Sequence, residues 1–234
     1  MIELYYHPTP NTWKVAIMLE ECGLPYELKL VNIHQSEQFS PEFQKINPNG
    51  RVPAIVDVEA PGGPLPIFES GAILLYLAEK SGRFLASTGF DRAVALEWLF
   101  WQMSALGPIA GQAHYFRRYA PSGNEHASDR FTKEAARLYG VLDRRLGDVE
   151  WLAGEYGIAD MACWGWVFYH RMHGQSFEDF PHVGNWFRKM SDRPAVGRAK
   201  RIGLDNVSSD MLAVYEQPYY NLADDYGAAA TKVR

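Results

Sequence analysis

The hydrophobic pattern of the chain changes once, near residue 82. Before that point, short β-rich runs alternate with helical stripes. Residues 2–6, 26–31, 52–58 and 65–68 have strand character, and 11–22, 41–46 and 70–81 have helical spacing. Gly23 and Gly82 fall where helix C-termini favour glycine. The order βαβαββα predicts a mixed sheet. A β-α-β crossover makes strands parallel, whereas the Pro61-Gly62-Gly63-Pro64 turn makes the last two antiparallel. After a connector at 83–89, strand signals stop. Residues 93–107, 129–146, 158–173 and 183–191 carry apolar positions at helical spacing, with Pro108 expected to kink or break the first of these. Gly157 to Asp160 predicts a helix start, with Asp160 reaching back to the N-cap. The predicted organisation is an α/β domain over 1–82, an all-helical domain over 90–203 and a tail over 204–234. The tail lacks sustained periodicity yet is rich in tyrosine, so a frayed terminus and a segment wrapping over the body or a partner both stay open.

Composition narrows the function. Lys plus Arg total 23 and Asp plus Glu 28, a net charge of −5, which gives no global attraction for nucleic acid. The longest apolar run, 72–78, is far short of the roughly 20 residues of a membrane span, and the N-terminus lacks a basic-then-apolar leader. The expectation is a cytoplasmic protein acting on neither nucleic acid nor membrane. The two cysteines, Cys22 and Cys163, show no metal or redox spacing. Both sit in apolar surroundings and are expected to be packing residues, so any thiol chemistry comes from a bound thiol. No metal site is expected.

Several motifs, taken in order, carry a resemblance. Asn47-Pro48-Asn49-Gly50-Arg51-Val52-Pro53, Phe68-Glu69-Ser70-Gly71 and Gly157-Ile158-Ala159-Asp160 resemble the glutathione transferase family over about residues 1 to 203. Gly157 departs from the usual Ser or Thr. Thr9-Pro10-Asn11-Thr12-Trp13-Lys14, Trp98 through Gln112 and Ser191-Asp192-Arg193-Pro194 are similar to the Nu-class, the bacterial disulfide-bond oxidoreductases and their fungal nitrogen-regulator relatives. The resemblance implies a thioredoxin-like domain followed by a helical one, a homodimer, and glutathione as bound substrate or co-substrate. It implies a cis peptide at Val52-Pro53, whose strand-like backbone groups would pair with the cysteinyl unit. It places Glu69 and Ser70 on the γ-glutamyl end, Gln38 and Arg51 near the glycyl end, and Arg130 as a basic residue across a dimer interface.

The turn after the first strand, 7–12, holds neither Cys nor Ser. Tyr5 and Tyr6 alternate to opposite faces of a strand, where packing is their expected fate. Thr9 and Asn11 remain, and the resemblance makes them the groups that hold the glutathione sulfur. A hydrogen bond to a charged group contributes roughly 1.5–3 kcal/mol and a helix N-terminus roughly 0.3–1 kcal/mol. At about 1.4 kcal/mol per pKa unit, two such donors lower a thiol near 8.5 by about two units. Trp101, His114, Tyr115, Phe116 and Trp164 suit either a second-substrate wall or plain core packing, and His114 is expected to lack clustered partners. The implied activity is disulfide reduction by bound glutathione. The alternatives are conjugation to small electrophiles and a non-catalytic glutathione-binding protein; against a regulator of the latter kind stands the lack of a Gln/Asn-rich stretch.

Overall fold

The computed structural model describes residues 1–204, so the expectation for the tail lies outside the described residues. Four strands, β1 (Ile2–Tyr6), β2 (Tyr26–Leu30), β3 (Ala54–Asp57) and β4 (Leu65–Phe68), form one sheet in the order β2-β1-β3-β4. β2 runs parallel to β1; β3 is antiparallel to β1, and β4 to β3. This is the predicted mixed sheet of a thioredoxin-like domain. The helices α1 (Pro10–Cys22), α2 (Pro41–Gln44) and α3 (Ser70–Ser81) complete it.

The remainder is helical: α4 (Gly89–Trp101), α5 (Gly107–Arg118), α6 (Glu125–Asp148), α7 (Ile158–Phe168), α8 (Pro181–Ser191) and α9 (Pro194–Arg201). Pro108, expected to kink or break the run, is preceded by an interruption of the α-helical pattern. Pro108 does not end the helical run. Gln102–Leu106 form a π-helical segment in which the Gly107 N–H bonds to the Gln102 carbonyl, five residues back. That wider turn admits the proline ring, and α5 continues from α4 with Pro108 in its first turn. α5 and α9 were not predicted as separate elements.

α1 is the hinge of the packing. Every residue from Thr12 to Leu19 is buried, because the helix lies between α3 on one side and α7 and α9 on the other. Trp13 stacks flat on Tyr169 at 5.8 Å and edge-on to Phe168 at 5.1 Å, joining sheet domain to helical domain. Cys163 is fully buried as expected. Cys22 is only half-buried, because the last turn of α1 reaches the surface, where its Sγ lies 3.4 Å from Ser81 Oγ. Burial raises the pKa of both thiols.

Asp160 ties the start of α7 to its surroundings. Its carboxylate accepts from the N–H groups of Leu152 (3.1 Å) and Gly157 (3.1 Å) and from Trp186 Nε1 (2.8 Å). Burial pushes it up to about 6 against the pull of those donors. Gly157 is where the family pattern departs, and the reason is steric: a Cβ there would lie 2.6 Å from the Phe84 carbonyl oxygen, which accepts from Ile158 N–H. Asp160→Asn turns an amide NH2 toward N–H donors. It should cost about 2–4 kcal/mol in denaturant unfolding while leaving the helical circular-dichroism spectrum near that of the parent.

Candidate active site

The β1–α1 turn is fixed by a capping box. Thr9 N–H donates to Thr12 Oγ1 (3.0 Å), and Thr12 N–H donates to Thr9 Oγ1 (3.3 Å). Thr12 Oγ1 lies 2.5 Å from the His7 carbonyl, which takes its hydroxyl proton. The proton of Thr9 is thus left to be shared with Thr12 Oγ1, 3.1 Å away, or to be given to a ligand. Asn11 follows in the first turn of α1. Trp166 Nε1 donates to Asn11 Oδ1 at 2.9 Å. An indole N–H is donor only, so it sets the amide orientation and leaves the Asn11 NH2 as the free group. Asn11 therefore offers hydrogen atoms, not an acceptor, to the cleft it lines.

That cleft, about 260 Å³, is walled by Asn11, Asn47, Asn49, Arg51, Val52, Pro53, Glu69 and Ser70. The Val52-Pro53 peptide is cis. Asn47 shapes the approach to it: Nδ2 donates to the Arg51 carbonyl (2.6 Å), and Oδ1 accepts from Asn49 N–H (2.9 Å). Ser70 begins α3, where unsatisfied N–H groups suit an anion. Glu69 before it has φ +70°, a strained conformation for a side chain of its size, and lies exposed at the cleft.

Six of the nine residues singled out in the sequence thus share one wall: Asn11, Arg51, Val52, Pro53, Glu69 and Ser70. Thr9 caps the helix that presents Asn11. Gln38 sits buried in a short 3-10 turn, Oε1 without a hydrogen-bond partner. Gly50 packs against that turn; a Cβ there would lie 2.9 Å from the Phe39 ring and 3.3 Å from the Gln38 carbonyl. Arg130 is exposed on α6 and is not in the wall. Tyr5 donates to Glu3 and packs on Phe43, and Tyr6 is buried, as strand alternation required.

Trp164 is fully buried core, and none of the weighed aromatic residues lines this cleft. His114, expected to stand alone, does not. The turn at His170–His173 folds back onto α5 and sets the His114 and His173 rings 6.0 Å apart, with Tyr169 also against His114. Burial lowers both; His114 falls to about 4, so it is neutral at ordinary pH and ill suited to donate a proton.

Sequence reasoning missed Asn47 and Asn49 as wall residues, Trp166 as the partner of Asn11, and Lys14. Lys14 Nζ is buried in the core, 2.8 Å from Gln102 Oε1 and 3.3 Å from Ser70 Oγ, directly behind the cleft. The signal was available: Asn11, Lys14 and Met18 fall at i, i+3 and i+7, which puts a lysine on a buried helix face.

Fold and cleft define a two-part class, a thioredoxin-like domain with a cis-proline cleft backed by an all-helical domain. Residues 1–79 match the N-terminal domain of glutathione S-transferases and 103–194 the C-terminal domain; the chain belongs to the glutathione transferase family. It is 49% identical over 202 residues to the disulfide-bond oxidoreductase YfcG of Escherichia coli strain K12, covering 85% of this chain and 94% of that one. It is 40% identical over 219 residues to YghU, a second disulfide-bond oxidoreductase of that strain (88% and 76%). A glutathione transferase from Pseudomonas putida, crystallised with one glutathione disulfide per subunit, superposes with a TM-score of 0.83 at 43% identity, covering 86% of this chain and 91% of that one. A family member from Pseudomonas fluorescens with two glutathione bound gives 0.81 at 44% (85% and 91%).

α7 approaches the β1–α1 turn so closely that a Cβ at Gly165 would lie 2.5 Å from the Pro10 carbonyl oxygen. Gly165→Ala must therefore push the first turn of α1 away. The expected outcome is a loss of about 1–3 kcal/mol in thermal or denaturant unfolding, with the Trp166–Asn11 bond broken in a crystal structure of the variant.

Proposed function

We propose that the cleft binds glutathione and that the bound thiolate, not a protein thiol, reduces disulfides. The observation that carries this reading is the Asn11 amide, turned by Trp166 so that its N–H bonds face the cleft at the start of a helix. A neutral amide donor beside a helix N-terminus stabilises a thiolate without becoming a nucleophile. Thr9 supplies a second donor through its hydroxyl. Val52, beside the cis-proline, pairs with the peptide backbone; Ser70 and the start of α3 take the γ-glutamyl carboxylate, and Glu69 the ammonium. Arg51 and Gln38 serve the glycyl end. Arg130, exposed on α6, acts in this reading from a second copy of the chain in a homodimer.

The electron balance needs two glutathiones. The first thiolate attacks one sulfur of the substrate disulfide, forming a mixed disulfide and releasing a thiolate. The second attacks the glutathione sulfur of that mixed disulfide, releasing the other substrate thiol and glutathione disulfide. The names of the Escherichia coli relatives and the glutathione disulfide held by the Pseudomonas putida relative support this direction.

The deciding experiment measures glutathione-dependent reduction of 2-hydroxyethyl disulfide beside conjugation to 1-chloro-2,4-dinitrobenzene. Strong reduction with weak conjugation is expected; the reverse result refutes the disulfide reading and leaves the glutathione cleft. The Cys22→Ala, Cys163→Ala double variant should keep reduction within about threefold of the parent, after correction for about 1 kcal/mol of lost stability. Loss of reduction in a folded double variant would show that a protein thiol takes part.

Asn11→Ala should lower kcat about 10- to 100-fold, the worth of one hydrogen bond to a charge, with a smaller change in glutathione affinity. Trp166→Phe leaves the amide in place but frees it to rotate. It should lower kcat less and shift the acid limb of the pH–rate profile upward by about half a unit to one unit. An unshifted profile in both variants would deny Asn11 its role on the sulfur.

A further inference from the structure

Lys14 is a full lysine inside the molecule whose described partners are all neutral. Nζ contacts Gln102 Oε1 at 2.8 Å, Ser70 Oγ at 3.3 Å and Met103 Sδ at 3.9 Å, and none of the described ion pairs includes it. The residues around it are arranged to keep it there. Gln102 opens the π-helical segment, and Gly107 leaves room for its amide, since a Cβ there would lie 2.8 Å from Gln102 Nε2. An ammonium only donates, so Oε1 must be the atom that faces it. Gly71, beside Ser70, gives the same room to Met103, whose Cγ would lie 3.0 Å from an added Cβ. A site built this closely around a buried amine needs a reason, because burying an unpaired charge is costly.

We infer that Lys14 is the core-side half of the γ-glutamyl carboxylate site: held on Gln102, it donates to Ser70 Oγ, whose own hydroxyl donates within the protein only to the weak acceptor Met103 Sδ (3.7 Å) and turns to a carboxylate when one binds, and it supplies the positive charge that a bound α-carboxylate answers. It is a positioning residue, since it acts on the ligand through Ser70. The inference rests on the glutathione reading above and extends it to a residue that does not line the cleft.

Burial lowers Lys14 to about 7, while the Cys163 and Glu69 fields pull weakly the other way. Each element packed on α1 contributes to this balance. α3 brings Ser70 and Glu69. α7 brings Cys163, whose thiol burial holds neutral, with Asp160 behind it. The π-helical segment brings Gln102 and Met103. α9 brings Arg193 and Arg198, but these bond to Glu21 and Glu20 in the last turns of α1, far from Nζ. A carboxylate on Ser70 therefore raises the Lys14 pKa, and by linkage its binding takes up a proton at any pH between the free and the bound value. Affinity for that carboxylate accordingly falls as pH rises above 7.

Isothermal calorimetry tests this with S-methylglutathione, which has no thiol to titrate, in buffers of different ionisation heat at pH 6, 7.5 and 8.5. The second probe is the same molecule with 4-aminobutyryl in place of the γ-glutamyl group, which removes only the α-carboxylate. The wild-type protein should take up about half a proton with the first probe at pH 7.5, little at pH 6, and none with the second. The second probe should bind about 10- to 100-fold more weakly. Lys14→Met should lose the uptake, bind S-methylglutathione about as weakly as wild type binds the second probe, and lose little more when the carboxylate is removed. Equal uptake by wild type with both probes overturns the inference without needing a folded variant. So does full affinity in Lys14→Met. Wild type that binds S-methylglutathione without uptake refutes Lys14 alone; wild type that binds neither probe refutes the glutathione reading and the inference together.

Discussion

The chemistry of the cleft depends on one packing contact, that of α7 against the first turn of α1. Nothing within the thioredoxin-like domain dictates which way the Asn11 amide points. Trp166 dictates it from the helical domain, across 155 residues of sequence, and Gly165 lets the two helices come close enough for the indole to reach. The position of α7 depends in turn on Asp160, which gathers Leu152, Gly157 and Trp186 onto one carboxylate. The helical domain thus holds the β1–α1 turn in place.

Electrostatics at the cleft follow the same plan, with the positive character coming from backbone and core. The whole chain carries a net charge of −5, yet the site is suited to an anionic peptide. Two helices begin at the cleft, α1 beside Asn11 and α3 at Ser70; at α1 Pro10 has no N–H and Thr9 caps Thr12, whereas the start of α3 has no side-chain cap and keeps its N–H groups for a ligand. The strained φ of Glu69 turns the chain so that α3 begins at the cleft wall while its own carboxylate stays exposed there. Positive field and a negative side chain then stand side by side, which matches the two opposite charges of an α-amino acid group better than a simple basic patch does.

The local parts of this were legible in the sequence. Strand alternation, glycine stops and the turn at 61–64 give the sheet and its mixed topology, because those signals act within a few residues. Six wall residues were found because the motifs that contain them keep their spacing. What stayed hidden has a common cause. Trp166 looks like an ordinary core residue of its helix, and although helical spacing puts Lys14 on a buried face, only the tertiary approach of α7 and of the π-helical segment supplies the polar partners of either. The π turn itself was invisible, since Pro108 signals a break and the accommodation lies in hydrogen-bond geometry rather than in composition. His114 was misjudged for the same reason: its partner His173 is adjacent only after the 170–173 turn folds back.

The placement of the two cysteines shows why a thiol-handling fold can work without a thiol of its own. Cys22 lies at the far end of α1, one full helix from the turn, and Cys163 lies in the core with its ionisation suppressed. At the position where a redox protein of this fold carries its nucleophile, the chain has instead a threonine whose hydroxyl is paired with Thr12 and an amide aimed by an indole. Both are donors that cannot be oxidised. In the proposed reaction the nucleophile arrives and leaves with the ligand, so the protein itself would pass through no disulfide state and need no second thiol to reset it. The price is that sulfur placement must come wholly from binding, which explains why so much of the structure is spent on holding Asn11, Ser70 and the cis-proline turn in fixed relation.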